Sequence, residues 1–460
     1  MQTISKRILF AGFIFSLTAS NAFGNDIYGP FPITLKGYSG DKTNSVSYSG
    51  QIARHILHDS LKKLAASGDK AEMMAFFKGS DKNKEIIAPK TKGDFKIKQT
   101  LMNDVSKGKN LSGKSYKGIV NGWPGQMTGA EVIEFMINKA ADAPKGFDES
   151  TGYNYPQLIS KFAMGAVFYN QAVDGYLDEK LEPDSKPNDK PYKDGAYYTG
   201  KEHVWDEAFG YWGAAAHGLT LSAEQNYNVT KMKDFASADY NGDGVVDLKS
   251  EYNFAHAYYA SSYDKGGKTN YYETVTQAFI DGRKIITAAN GEKLSSSQRA
   301  ELNALRDTIV SNWEKVIAES VFKYAGSVYN DLEKLETILE SNGDTSKAFA
   351  TYAKHWGELK GFALALQAGK NNLGETAVKL NRMMGFGPVL LNASQVTGID
   401  SNGNYIKDQA QEWNEYMLHM LKIQKLMVDV FDVQARAKDK LADIEDLASK
   451  LGSSNSAEND

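Results

Sequence analysis

The chain has no cysteine among its 460 residues and only seven histidines. The lack of cysteine excludes a disulfide framework and a lipid-attachment cysteine. Beyond its first residues, the sequence has no apolar run of the roughly 20 residues that a membrane-spanning helix needs, so we expect no transmembrane segment in the mature chain. It also lacks a His-Glu-x-x-His helix and a nucleophile motif, which disfavours a peptidase.

A strong excess of positive charge is also missing, since 53 Lys+Arg stand against 57 Asp+Glu. Without residues 1–24, which hold Lys6 and Arg7, the balance is 51 against 57, a net charge of −6. We therefore expect no nucleic acid partner. Residues 78–117 are a local exception, with eleven lysines, four carboxylates and a net charge of +7. Because Gly, Asn and Ser separate these lysines, we interpret the segment as a solvated, loop-rich face; a surface for an anionic partner is the alternative.

The chain begins in the order of a secretory signal peptide. Lys6 and Arg7 supply positive charge, residues 8–17 form an apolar core, and residues 22–24 are a small-x-small cleavage site. The apolar stretch is too short to span a bilayer. We therefore expect a mature chain that begins near Asn25 and is periplasmic or secreted.

Apolar residues recur at three- and four-residue steps wherever the pattern is clear, and we find no convincing run of alternating strand residues. The sequence predicts an all-α fold, a two-part helical bundle in which pseudo-symmetry between the parts is an open option. The strongest signal is a long helix near 295–341, which Asn342-Gly343-Asp344 ends. A second long helix follows at once, as in an antiparallel bundle.

The same pass along the chain indicates how it is organised. Residues 182–201, rich in Pro, Asp, Lys and Gly, are interpreted as a linker. The expected segments are a signal peptide (1–24), an N-terminal helical half (25–220), a calcium-like loop with a connecting helix (221–270), a C-terminal helical half (271–450) and a disordered tail (451–460).

Two segments share the order Trp-x-Glu-x-x-Gly-aromatic, one starting at Trp205 and the other at Trp356, and a histidine precedes each. On a helix, the glycine lies near the glutamate and lets another backbone approach the carboxylate. Imidazole and carboxylate without cysteine suit iron or zinc. The alternative is a packing motif with ordinary hydrogen-bonded pairs. The candidate iron or zinc ligands are His203, Glu207, His355 and Glu358.

Three blocks of sequence carry a family resemblance: Tyr48-Ser-Gly-Gln-Ile-Ala-Arg54, Glu202-His-Val-Trp-Asp-Glu-Ala-Phe-Gly-Tyr211 and His355-Trp-Gly-Glu-Leu-Lys-Gly-Phe362. They resemble an uncharacterised family of exported bacterial proteins that share a domain of unknown function. More distantly, the chain resembles the imelysin-like superfamily of paired helical bundles linked to bacterial iron uptake. The imelysin pattern is Gly-x-His-x-x-Glu, from which this chain departs at Ala353. The resemblance implies binding in an iron-associated system.

Another pattern, Asp239-Tyr-Asn-Gly-Asp-Gly-Val-Val-Asp247, has the spacing of a calcium loop. Oxygen ligands stand at alternate positions, with Gly at the sixth and Asp at the ninth. The twelfth position is Ser250, and the acid comes one residue later. We predict that Ca²⁺ pins the helix expected near Leu248; an Asx-rich turn is the alternative. The candidate calcium ligands are Asp239, Asn241, Asp243, Val245, Asp247 and Glu251.

These observations together lead us to expect an exported helical binding protein without turnover. Its ligand would be a metal ion, calcium in the loop and iron or zinc at the repeated motif, or a metal-linked partner; a cell-envelope protein is a further candidate partner. One alternative is a structural or surface interaction module in which the repeated motif only packs helices. An imelysin-like peptidase is the other.

Overall fold

The protein is described by a computed structural model over residues 26–80, 82–369, 373–409, 412–445 and 447. The expected signal peptide and C-terminal tail lie outside the described residues. None of the described helices is long and apolar enough to cross a membrane.

Most described residues are helical, which confirms the predicted fold class. The α-helices, in chain order, are α1 (Ser49–Leu64), α2 (Lys70–Lys78), α3 (Met102–Val105), α4 (Gly129–Asp142), α5 (Tyr155–Ala163), α6 (Gly200–Trp212), α7 (Ala223–Thr230), α8 (Phe235–Ala238), α9 (Ala255–Asp264), α10 (Tyr271–Ala288), α11 (Ser296–Glu340), α12 (Ser346–Leu366), α13 (Glu375–Met384) and α14 (Trp413–Phe431).

Two short antiparallel hairpins complete the regular structure, and the sequence pattern did not reveal them. They pair β1 (Phe147–Asp148) with β2 (Tyr153–Asn154), and β3 (Ser394–Ile399) with β4 (Tyr405–Gln409). The second hairpin has an irregular register between Val396 and Gly398, and β4 is mostly exposed. Strands this short, with a bulge and one solvated member, lack the alternation that marks a strand in sequence.

The longest helix, α11, organises the bundle. It has 45 residues, and a rise of 1.5 Å per residue makes it about 68 Å long. Ser295 caps its first turn, and residues 341–345 turn the chain into α12, where Asp344 accepts a hydrogen bond from the Ser346 amide at 2.9 Å. Helices α10, α12 and α14 pack along α11, and α5 packs on α12.

The helix that begins as α5 changes its winding in the core. It continues as π-helix over Met164–Tyr169 and again over Gln171–Glu179. All six residues of the first π-helical segment are buried. Such segments turn side chains out of α-helical register and often lie at functional sites, and Met164 lines the cavity described below.

A buried ion cluster joins α6 to α10. The Arg283 side chain is fully buried and lies 3.2 Å from Glu202 and 3.0 Å from Asp206. Tyr28 donates to Asp206 at 2.7 Å, and Ser45 contacts Arg283, so the same charges hold the first described residues against the bundle. A buried cation matched to two carboxylates and neutral donors satisfies the demand that buried charges be paired.

Candidate functional site

The two tryptophans of the repeated motif anchor their helices in the same way. The indole N–H of Trp205 donates to the main-chain oxygen of Phe279 at 2.7 Å, and that of Trp356 donates to the Tyr416 hydroxyl at 2.7 Å. Both side chains are fully buried. The motif therefore fixes α6 to α10 and α12 to α14.

The motif glycines permit the close neighbour expected from the sequence. A Cβ atom on Gly210 would lie 2.8 Å from Gln51 on α1, and one on Gly361 would lie 2.5 Å from Lys161 on α5. Both separations are far below ordinary contact, so only glycine allows these helices to approach so closely. Each motif glutamate is thereby placed beside a second helix.

The two motif histidines have different partners. His203 Nε2 lies 3.7 Å from Glu207 Oε1, and the imidazole stacks on Tyr198. Burial lowers the pKa of His203 below its usual value, although Glu207 opposes this shift. His355 instead pairs with Asp331, with Nδ1 and Oδ2 2.6 Å apart.

Glu358 opens into a polar cavity of about 340 Å³ between α1, α5, α9, α11 and α12, which we call the Lys161 cavity. Glu358 is 7% exposed, and its carboxylate accepts a hydrogen bond from the Tyr324 hydroxyl at 3.1 Å. Four lysines and two carboxylates are among the lining residues. The ionisable side chains of the lining are His58, Asp59, Lys62, Lys161, Lys231, Tyr258, Tyr259, Tyr324, Lys354 and Glu358.

Lys161 is the most unusual of these groups. It is 4% exposed, and its ammonium lies over the rings of Tyr259 and Phe362, 5.3 and 5.9 Å from their centroids. Within the described chain, no carboxylate oxygen lies within 4.0 Å of this ammonium. Burial, followed by the charge of Lys62, holds the pKa of Lys161 well below its usual range, and Glu358 only partly offsets this. A buried lysine without an ion-pair partner is costly unless a ligand or pKa shift relieves it.

One wall of the cavity has the order of a catalytic triad. His58 Nδ1 lies 3.0 Å from Asp59 Oδ1, and His58 Nε2 lies 3.0 Å from both the hydroxyl and the main-chain oxygen of Ser160. A carbonyl oxygen only accepts, so the Ser160 main-chain oxygen competes with the hydroxyl for Nε2, and the tautomer that donates to it cannot take a proton from the hydroxyl. His58 therefore ties α1 to α5 and is not placed as a general base.

Glu207 lies in different surroundings. It accepts hydrogen bonds from Gln51 Nε2 at 2.8 Å and from the Tyr192 hydroxyl at 3.3 Å. Three half-buried lysines, Lys109, Lys114 and Lys180, interact with it electrostatically, and no described contact joins Glu207 to Glu358. In the described part of the chain, no three or more His, Asp or Glu side chains are grouped so that they could hold a metal ion.

The calcium-like loop folds around its own amides. Asp239 accepts hydrogen bonds from the amides of Asp243 and Gly244, at 3.1 and 2.9 Å, and Asn241 also accepts from Asp243 at 2.8 Å. Gly242 and Gly244 have positive φ angles of 71° and 85°, which explains why glycine is needed at both.

The remaining acids of the loop also have partners. Glu251 accepts from the amides of Asn241 and Asp247, at 3.3 and 2.7 Å, and so closes the loop. Asp247 also accepts from Gln99 at 2.7 Å. The Lys98 ammonium lies 3.2 Å from Asp243 and supplies the positive charge that a bound metal ion would supply there. Val245 donates its amide to Asp243.

Sequence reasoning missed Lys161, Tyr259 and Tyr324. A usable signal was present at Lys161, because it is the only charged residue in the mostly apolar run from Leu158 to Tyr169. A lysine inside a helix that is apolar all round must be buried. Nothing comparable marked the two tyrosines, which come from α9 and α11.

The fold and these surroundings define a mainly α-helical protein with a polar cavity between its helices. A family model named Domain of unknown function (DUF4856) matches residues 136–384, more than half of the chain, so the chain belongs to this family. The match includes both copies of the repeated motif and the calcium-like loop. Neither the curated proteins nor the solved structures give a significant match. The resemblance to an uncharacterised family is thereby confirmed, while the imelysin likeness stays a prediction.

Proposed function

We propose that this protein is a non-catalytic binding protein that takes a small polycarboxylate, free or as its metal complex, in the Lys161 cavity. The observation that carries the proposal is the buried Lys161 ammonium without a carboxylate partner. A ligand carboxylate at this position would supply the missing counter-charge and so raise the lowered pKa of Lys161 toward its usual range. The cavity volume of about 340 Å³ lies in the range of small-molecule sites.

The charge balance of the lining favours an anionic ligand over a bare metal ion. Four lysines face two carboxylates, Asp59 and Glu358. A free divalent cation would bind its carboxylate against the repulsion of nearby lysines, and like charges in a partly buried site are strongly unfavourable. A carboxylate complex of iron carries its metal with an overall negative charge, so it agrees with the metal-linked partner expected from the sequence.

Glu358 favours a ligand that can also donate a hydrogen bond. Its carboxylate accepts a hydrogen bond from Tyr324 and retains acceptor capacity. A ligand that carries a hydroxyl donor beside its carboxylates would satisfy both Lys161 and Glu358. Hydroxycarboxylates such as citrate have this combination, and citrate is therefore the probe of choice.

Calorimetric titration of metal-free protein tests the proposal. Citrate and ferric citrate should each bind with one site per chain, and Lys161→Met should weaken the tighter of the two at least tenfold. Lys63→Met is the matched control, because Lys63 is an exposed lysine on α1 that does not line the cavity. Zn²⁺ titrated alone should give no site that depends on Glu358.

Two results would overturn the proposal. One is no binding of either citrate form; the other is tight binding of bare Zn²⁺ or Fe²⁺ that His355→Ala and Glu358→Gln both abolish. The second result would restore the metal-ligand interpretation of the repeated motif.

We propose calcium binding to the 239–251 loop as a separate, structural role. The Asx-type hydrogen bonds and the two positive-φ glycines support it. When the cation binds, Lys98 must leave Asp243, and the acidic side chains of the loop must converge from their present positions. Calcium at 100 times its dissociation constant would add about 2.7 kcal/mol to the free energy of unfolding. Melting should rise with calcium and fall with chelator, and Asp243→Ala should remove this difference. An unchanged melting curve would leave only an Asx-rich turn.

Export is likewise a proposal, which the order of charged, apolar and small residues before Asn25 supports. Protein recovered from the periplasm or the medium should begin within a few residues of Asn25. Recovery there with Met1 intact would contradict it.

A further inference from the structure

Three lysines are buried in the described part of the chain, and Lys161 differs from the other two. Lys201 donates to three main-chain oxygens at 2.5 to 2.7 Å, and Lys360 donates to that of Gly385 at 2.6 Å. Neither of them lines the Lys161 cavity. Lys161 has no such acceptor among the described residues, and its nitrogen lies over two aromatic rings. Lys161 therefore combines burial with access to a cavity that can hold a small molecule.

A second lysine, Lys62, lines the same cavity from α1, which packs on the helix that carries Lys161. Burial, followed by the charge of Lys62, holds the pKa of Lys161 well below its usual range. A lysine that is desolvated and lies near another cation is more often a neutral amine, and a neutral amine is a nucleophile toward a carbonyl carbon. The cavity thus gives Lys161 the surroundings of a Schiff-base lysine.

The rest of the lining suits a ligand that has carboxylates beside its carbonyl group. Three further lysines line the cavity and can pair with ligand carboxylates, namely Lys62, Lys231 and Lys354. With Lys161 as a protonated imine, four positive charges stand against the two carboxylates of the lining, an excess of two. A dicarboxylate with a carbonyl next to one of its carboxylates supplies two negative charges. Such a 2-oxo dicarboxylate therefore balances the charge of the cavity.

We propose that Lys161 captures 2-oxo dicarboxylates as a reversible imine. The nitrogen attacks the carbonyl carbon, which gives a carbinolamine whose hydroxyl can donate to Glu358. A carbon–nitrogen double bond then replaces the carbon–oxygen double bond, and the two amine hydrogens leave with the oxygen as one water. The imine nitrogen takes a proton from solvent, and no oxidant or reductant is needed.

The inference deepens the proposed function and rests on it in one respect, because both place the ligand in the Lys161 cavity. Citrate resembles the carbinolamine, since each has a tetrahedral carbon that carries a hydroxyl and a carboxylate. Citrate would therefore bind without a covalent bond where a 2-oxo dicarboxylate reacts.

Reductive trapping in the full chain tests the inference. Protein incubated with 2-oxoglutarate and cyanoborohydride should gain one reduced adduct per chain, and peptide mass mapping should place it on Lys161. Exposed lysines, whose ordinary pKa is about 10.4, are mostly protonated at about pH 7 and should react at least about tenfold more slowly. Lys63→Met is the matched control and should leave the yield unchanged, because Lys63 is exposed on α1 and does not line the cavity.

Lys62 acts through Lys161 as a positioning residue, and the pH dependence of trapping tests this role. Lys62→Met removes the neighbouring charge and so raises the pKa of Lys161, which should move the rise of the trapping rate at saturating 2-oxoglutarate to higher pH. Lys62→Arg keeps the charge and should keep the wild-type profile. Both variants retain the other ionisable groups of the lining, which are His58, Asp59, Lys231, Tyr258, Tyr259, Tyr324, Lys354 and Glu358. An unchanged profile in Lys62→Met would overturn the role of Lys62.

The outcomes separate this inference from the proposed function. Binding of citrate without any adduct on Lys161 would overturn the imine and leave the proposed function standing. An adduct on Lys161 without binding of citrate or ferric citrate would support the imine and overturn the proposed function. Adducts spread over the exposed lysines, with none favoured at Lys161, would also overturn the inference.

Discussion

Helices α6 and α12 carry the same motif but pair their buried charges differently. On α6, Glu202 and Asp206 are buried around Arg283. On α12, Lys360 is fully buried; its ammonium donates to the Gly385 main-chain oxygen at 2.6 Å and has no described carboxylate partner. The shared tryptophan and glycine thus serve packing, while the residues between them set the local electrostatics. A repeated motif in this chain does not imply a repeated ligand.

The largest expected effect is on the α6 side. Arg283→Met leaves two buried carboxylates without their cation, and breaking such a pair costs about 3–5 kcal/mol. Chemical denaturation should show this loss in the free energy of unfolding. Lys360→Met is the control on α12, since it removes a buried charge that has no carboxylate partner. If Arg283→Met lowers the free energy of unfolding no more than Lys360→Met does, the proposed difference between the two helices is wrong.

The buried Lys360 of α12 should make the stability of the protein depend on pH. Burial lowers the pKa of Lys360 to about 7, whereas the pKa of a lysine in an unfolded chain is about 10.4. Between these values the unfolded chain binds one more proton, so the free energy of unfolding should rise with pH across this window. Lys360→Met removes this contribution, so the wild-type curve should climb relative to the variant between about pH 7 and 10. Parallel curves would show that Lys360 keeps its ordinary pKa.

The shared part of the motif should respond equally in both helices. Gly210→Ala and Gly361→Ala introduce a Cβ atom 2.8 and 2.5 Å from a neighbouring helix, and overpacking of this kind costs about 1–3 kcal/mol. Gly175→Ala is the control, because no atom lies within 4 Å of the added carbon. Both motif variants should unfold at lower denaturant than this control. A loss in only one of them would show that the two glycines have different roles.

Local signals in the sequence located several helices well, but the helix expected near Leu248 was wrong, because residues 248–250 form a turn and the next helix begins at Ala255. The long helix predicted near 295–341 runs from Ser296 to Glu340, because a capping serine and an Asn-Gly pair mark its ends. The capping-box helix begins after Thr128, as its spacing requires. These features act over a few residues, so they can be recognised without tertiary information.

The polar sites were harder to predict because distant segments form them. Asp331 and His355 form a hydrogen-bonded pair because α12 folds back along α11. The walls of the Lys161 cavity come from α1, α5, α9, α11 and α12, which are separated by up to 300 residues. Spacing along one helix says which side chains share a face, but not which charge the opposite helix presents.

A crystal structure of the protein grown with citrate would test the central claim most directly. We expect a ligand carboxylate within hydrogen-bonding distance of Lys161 Nζ and a ligand hydroxyl directed at Glu358. A metal ion bound directly to Glu358 and His355, or citrate bound elsewhere with the Lys161 cavity filled only by water, would contradict it.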